Sequence, residues 1–138
     1  MRCVFDSGVV LAGAGWRHEP HQCLVLAARR VVLPYATEET LDEMERIAHR
    51  MQAEGWFRRH DPWPTLNWYK GFVRRIEAAP LGKQRSRDPN DDPYIACALT
   101  ARASVIITRD SDLLTLVKPF GIEVLTPRAF LSRVAALF

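Results

Sequence analysis

The sequence predicts a single α/β domain spanning residues 1–138, built as a three-layer α/β/α sandwich around a central, mainly parallel sheet. Three observations carry that expectation. Short apolar or β-branched runs alternate with stretches of helical periodicity from one end of the chain to the other. The length of 138 residues, with 48% hydrophobic residues, supplies one substantial core and no more. The charged residues, 25% of the chain, are mixed in sign along it, so neither low hydrophobicity nor one-sign repulsion argues for disorder.

The elements follow in order. Residues 3–5 are a short apolar run ending in Asp6, which reads as a strand; Gly8 and Gly13-Ala14-Gly15 then read as a loop. Residues 21–30 are helical in composition, and Val31-Val32-Leu33-Pro34-Tyr35 is a second strand closed by proline. Thr37 opens a helix on which Leu41, Met44, Ile47, Ala48 and Met51 form one apolar face, with glutamates in the first turn as the helix dipole favours. Residues 55–80 interleave aromatics with arginines around Pro62 and Pro64, where helices should break. Residues 81–90 are a polar loop, and Pro93 suits the first turn of a helix running to about Arg102. Ser104-Val105-Ile106-Ile107-Thr108 is a buried strand, residues 110–117 a short helix and residues 122–125 a last strand. Thr126-Pro127 caps a final helix to Leu137. No internal repeat or low-complexity segment interrupts this alternation.

The longest apolar runs, residues 23–28 and 105–107, fall far short of the ~20 residues a bilayer span needs, so no membrane association is expected. Asp6 interrupts the stretch where a signal peptide would be apolar, and Cys3, Cys23 and Cys97 fit neither a disulfide framework nor zinc spacing. Both points favour a cytoplasmic protein with reduced thiols. The formal charge is +3, and arginine supplies 16 of the 19 basic residues, which suits phosphate oxygens.

Functional groups in an open parallel sheet collect beyond the carboxyl ends of the strands. Asp6 closes the first strand there, Asp110 and Asp112 follow the 104–108 strand, and Asp91-Asp92 open the helix that feeds it. Clustered carboxylates raise one another's pKa and call for a cation. An oxygen-only donor set suits Mg²⁺ or Mn²⁺ rather than zinc, and such a site serves phosphodiester cleavage.

Val4-Phe5-Asp6-Ser7-Gly8-Val9-Val10-Leu11 resembles the opening strand of PIN domains. The more specific likeness is residues 88–99, Asp-Pro-Asn-Asp-Asp-Pro-Tyr-Ile-Ala-Cys-Ala-Leu, continuing through Val105-Ile106-Ile107-Thr108-Arg109-Asp110-Ser111-Asp112-Leu113-Leu114 and residues 121–131. These resemble the prokaryotic PIN subgroup that includes toxins of toxin–antitoxin pairs, whereas residues 55–87 resemble no motif. The resemblance implies a PIN-like fold and a Mg²⁺- or Mn²⁺-dependent ribonuclease. Its catalytic acids would be Asp6, Glu43, Asp92 and Asp110, and its metal ligands Asp6, Asp92, Asp110 and Asp112. Ser7 and Arg109 are the candidates for substrate binding. RNA is the implied substrate, a cognate antitoxin the implied partner, and a homodimer the implied assembly. Gly8 departs from the family, which commonly has Asn or Ser there.

Each residue also has a plainer reading. Asp6 suits a strand-end turn, Asp92 before Pro93 suits a helix cap, with Asp91 able to cap in its place, and Asp110 and Asp112 suit a helix start. Glu43 and Glu45 flank the apolar stripe on opposite sides, and only the resemblance selects Glu43. The pairs Arg58-Arg59 and Arg74-Arg75, near Trp56, Trp63, Trp68 and Tyr69, fit either a nucleic-acid track or helix packing with solvated charge. The four histidines lie away from the acids. Gly8 removes the second acid of an Asp-x-Asp phosphatase, no lysine follows Thr108 as a receiver domain needs, and Gly13-Ala14-Gly15 lacks a nucleotide fingerprint. The remaining alternative is a PIN scaffold that binds RNA or a protein without cleaving.

Overall fold

The computed structural model describes residues 1–137. Its strands, β1 (Arg2–Phe5), β2 (Leu33–Ala36), β3 (Arg74–Arg75), β4 (Val105–Ile107) and β5 (Glu123–Leu125), form one sheet in the order β3-β2-β1-β4-β5. Every neighbouring pair is parallel. The helices are α1 (Ser7–Gly15), α2 (Glu19–Ala28), α3 (Glu38–Ala53), α4 (Trp63–Phe72), α5 (Asp92–Ala101), α6 (Ser111–Leu114) and α7 (Pro127–Leu137). Single 3₁₀ turns occupy Pro89–Asp91 and Pro119–Gly121.

The period of two along each strand sorts the sheet's side chains into two cores. Cys3, Phe5, Val105 and Ile107 pack with residues of α1, α2, α3, α4 and α7. Val4, Ile106 and Val124 pack with α5 and with Leu113 of α6. The sheet is therefore covered on both faces, which gives the expected α/β/α sandwich. From β1 the chain steps outward to β2 and β3, then returns to β4 and steps the other way to β5. The strand order reverses between β1 and β4, and a crevice opens there at the carboxyl edge.

The expected α3 is present with its stripe inward, Leu41, Met44 and Ala48 being buried. Its N-terminus is fixed by a reciprocal capping box: Thr37 Oγ1 accepts from the Thr40 amide at 3.2 Å, and Thr40 Oγ1 accepts from the Thr37 amide at 3.1 Å. Pro34 lies inside β2 rather than closing it. Leu33 bonds toward β1, so the N–H that proline lacks would point toward β3, whose pairing begins one residue later at Tyr35.

Two further expectations change. The segment after Asp6 is a helix, not a loop, and two of its glycines, Gly13 and Gly15, serve close packing. A Cβ at Gly13 would stand 2.7 Å from Leu24 Cδ1 and 3.0 Å from the Pro20 carbonyl oxygen, so this residue lets α2 approach α1. In the 55–80 stretch, Pro62 and Pro64 begin α4 rather than break a helix, and the chain then adds β3 at the sheet edge. Trp63, Trp68 and Phe72 pack against the core, so the aromatic spacing there serves packing.

Candidate active site

Five carboxylates reach the crevice between β1 and β4, and local backbone rules place each of them. Asp6 ends β1 and caps α1, its Oδ1 accepting from the Gly8 amide at 3.3 Å. Its Oδ2 accepts from Thr108 Oγ1 at 2.7 Å. Thr108, fully buried just past β4, in turn accepts from the Asp110 amide at 2.9 Å. Asp110 caps α6 through Oδ1, which accepts from the Asp112 amide at 2.8 Å. One threonine thus couples the ends of the two central strands.

The third contribution comes from the turn before α5. Asp88 caps that turn with Oδ1 on the Asn90 amide at 3.0 Å, and Asp91, only 5% exposed, accepts from Ser86 Oγ at 3.1 Å. Asp88, Asp91 and Asp110 each bring a carboxylate oxygen within 4.8 Å of the others.

Helix α3 supplies the opposite wall. Positions 43, 46, 47 and 50 recur at helical spacing, and Glu43, Arg46, Ile47 and Arg50 all line the cleft. Glu45 faces elsewhere and pairs with Lys70 at 3.0 Å. Glu43 is held by the phenol of Tyr94, which donates to Oε1 at 2.8 Å. Ser7 joins them: its hydroxyl lies 3.2 Å from Glu43 Oε1 and 2.8 Å from the phenol oxygen, and its amide donates to that oxygen at 3.3 Å. Burial, then the charges of Asp6 and Glu43, push the Tyr94 pKa far up, so the phenol keeps its proton and remains a donor.

The cleft measures about 630 Å³. Its carboxylates are unpaired: among the described residues, none of Asp6, Glu43, Asp88, Asp91 and Asp110 forms a salt bridge, although Arg46, Arg50 and Arg109 share the lining. Burial is the main cause that raises Asp6, with hydrogen bonds from Thr108 and Gly8 opposing it and the charges of Asp110 and Glu43 adding to it. Asp91 is pushed up to about 7, first by burial and then by the charge of Asp110, with Asp88 adding to it. A divalent cation would relieve both. The lining contains carboxylates and hydroxyls but no imidazole or thiol, so the donor set fits a hard, oxygen-seeking ion.

Of the residues singled out in the sequence, Asp6, Ser7, Glu43, Arg109 and Asp110 line this cleft. Asp92 does not join them. Its two oxygens accept from the amides of Arg85 at 2.9 Å and Ser86 at 2.8 Å and pin the preceding loop. It caps neither its own helix nor the cluster; consecutive helical residues diverge by about 100°, and Asp91 is the one that faces inward. Asp112 pairs with Arg87 at 2.8 Å, on the outer side of α6. Sequence reasoning brought Asp91 to this edge with Asp92 but gave it only the cap, and it missed Asp88, Thr108, Tyr94, Arg46 and Arg50. Two signals were available: Asp88 and Asp91 are three apart, hence on one side of a tight turn, and the 43-46-50 spacing names the arginines once Glu43 is placed.

The chain is an all-parallel α/β/α sandwich whose strand-order reversal carries a cleft with oxygen donors that could hold a divalent cation. Residues 2–112 match the profile of the PIN domain, and the chain belongs to the PIN-domain family. The crystal structure of PAE2754 from Pyrobaculum aerophilum is similar, with a TM-score of 0.65 and 20% identity over 98% of this chain and 89% of that one; at this identity the likeness concerns the fold. No curated protein matches the sequence. PIN domains are generally metal-dependent nucleases.

Proposed function

We propose that this protein is a Mg²⁺- or Mn²⁺-dependent ribonuclease that hydrolyses RNA phosphodiester bonds in the acidic cleft. The observation that carries the reading is the set of five carboxylates with no salt-bridge partner among the described residues, three of them within 4.8 Å of one another. Membership of the PIN family supports the same chemistry.

Asp88, Asp91 and Asp110, with Asp6 beside them, would hold the ion. When bound, it would neutralise the cluster and offer a Lewis acid to a phosphate oxygen. The protein's own groups do the rest. Arg46, Arg50 and Arg109 on the cleft lining bind phosphates flanking the one to be cut. Tyr94 and Ser7 fix Glu43 through Oε1, leaving Oε2 without a hydrogen-bond partner among the described residues and able to take a proton from the attacking water. The action as a toxin, in the cytoplasm, as a homodimer and under an antitoxin's control, is supported by the likeness of residues 88–114 to toxin-like PIN proteins.

The test is cleavage of RNA by the purified protein with Mg²⁺, with Mn²⁺ and with EDTA. Cleavage that needs the ion and disappears in Asp110→Asn is expected. Retained RNA binding with no cleavage under any ion would replace the ribonuclease with a binding scaffold.

A further inference from the structure

A second hollow of about 440 Å³ adjoins the acidic cleft and shares Gly8, Ile47, Arg50 and Arg109 with it. Its chemistry is different. Leu11 of α1, Met51 of α3, and Trp16 and Trp56 form apolar and aromatic walls. Its one acid, Glu54, is engaged: Oε2 accepts from Trp56 Nε1 at 3.1 Å. The two arginines stand where the hollow meets the cleft.

Trp56 is 54% exposed, yet it is held in place. Its amide bonds the Met51 carbonyl oxygen at 3.0 Å, and its indole N–H bonds Glu54. Trp16 leans on Phe57, with ring centroids 5.8 Å apart. The hollow therefore has a fixed, uncovered indole beside a guanidinium pair. Gly8 lies at the junction, where an added Cβ would meet nothing within 4 Å, so position 8 puts no side chain between the two spaces.

We infer that this hollow is a subsite for one unpaired nucleobase next to the scissile phosphate. The inference rests on the ribonuclease reading for the place of that phosphate. The base enters between Trp56 and the α1–α3 walls, while Arg50 and Arg109 hold the phosphate that links it to the cleft. Stacking on an aromatic face accepts any base, and a base paired in a duplex cannot reach it, so the subsite selects for single-stranded RNA at the cut rather than for sequence.

The experiment measures binding of two labelled probes, hexa-adenylate and a hexamer of abasic ribose phosphates, to the Asp110→Asn protein by fluorescence anisotropy. Adding Trp56→Ala should weaken hexa-adenylate about five- to 150-fold and leave the abasic hexamer unchanged. Trp56→Phe, which keeps a stacking face, should restore most of the loss. Equal effects on both probes, or none on either, would overturn the subsite, the second result being the one expected if the hollow receives a protein segment. Folding of the alanine variant is checked by circular dichroism. Independently, a 4-thiouridine oligomer should photo-crosslink to Trp56 or Met51 in the Asp110→Asn protein, and crosslinks confined to other elements would refute the assignment. Base-dependent binding in a wild-type protein that cleaves no RNA would keep the subsite while removing the ribonuclease; metal-dependent cleavage with base-independent binding would do the reverse.

Discussion

Asp91 is the carboxylate whose surroundings most oppose its charge, and replacing it with asparagine isolates that opposition. In the folded protein burial and the charge of Asp110 push its pKa up to about 7, whereas an unfolded aspartate has a pKa near 4, so the native state holds a proton that the unfolded chain has lost across the interval between them. Stability from this group is fully present below about pH 4 and is lost as pH rises through 7. The whole difference corresponds to about 4 kcal/mol at about 1.4 kcal/mol per pH unit. The cleft is open to water and its acids can separate slightly, so about 2 kcal/mol is the expected size. Asp91→Asn keeps the shape and cannot ionise. In EDTA, urea unfolding followed by circular dichroism should show the variant gaining on the wild type by about 2 kcal/mol between pH 5 and pH 8. The Asp6 carboxyl, also raised, is common to both proteins and drops out of the comparison to first order.

Metal should reverse the ranking. An ion that binds only the folded wild type stabilises it by about 2.7 kcal/mol at a hundredfold excess over its Kd, which offsets the repulsion at pH 8. The variant, with one charged ligand fewer, should gain much less. Parallel stability–pH profiles for the two proteins in EDTA would refute the like-charge account of Asp91. Equal stabilisation of both by Mn²⁺ would place the ion elsewhere.

The other predictions follow from neighbouring contacts. Asp92→Asn can accept from only one of the Arg85 and Ser86 amides, so it should cost about 1–2 kcal/mol in urea unfolding while cleavage survives; loss of cleavage at full stability would return Asp92 to the cluster. Asp110→Asn should reduce cleavage on the order of a hundredfold or more, whereas Asp112→Asn, which breaks a solvent-exposed pair with Arg87, should leave rates near wild type and cost under about 1 kcal/mol. Gly13→Ala should destabilise by about 1–3 kcal/mol through collision with Leu24 and Pro20, while Gly8→Ala, in a helix with open space around it, should stabilise by about 0.5 kcal/mol. The salt dependence of RNA affinity should flatten by about 0.7 in log–log slope for each of Arg46→Ala, Arg50→Ala and Arg109→Ala. It should not change for Arg75→Ala, whose guanidinium is paired with Glu38.

Much of the fold was legible because strand runs are short, apolar and well punctuated. The strand leading to Asp6, the Thr37 cap and the 104–108 strand all stand where local rules put them, and the topology then follows from parallel connections. Helix α1 was not legible, since glycine weakens a helix in isolation and only the approach of α2 reveals what Gly13 is for. Strand β3 was hidden for the opposite reason: two exposed arginines have no strand signature, and their pairing is dictated by Tyr35 and Ala36 next door. In the site, the acids at strand ends could be placed from sequence because a strand end is a fixed direction. The choice between Asp91 and Asp92 could not, because it turns on the loop at Arg85 and Ser86, whose amides claim Asp92 first.

That loop also removes the opposition between capping and catalysis that the sequence posed. Asp6, Asp88 and Asp110 each commit Oδ1 to a backbone amide. The cap fixes the side-chain rotamer and the helix start together, so the carboxylate is held at the cleft by the same bond that orders the backbone. A capping acid is thus a preorganised ligand. It need not be pulled from solvent when a cation arrives, and its charge is already close to like charges that disfavour the empty site. Asparagine caps as well as aspartate does, so substitutions at these three positions remove charge from the cluster while leaving the scaffold that aims it.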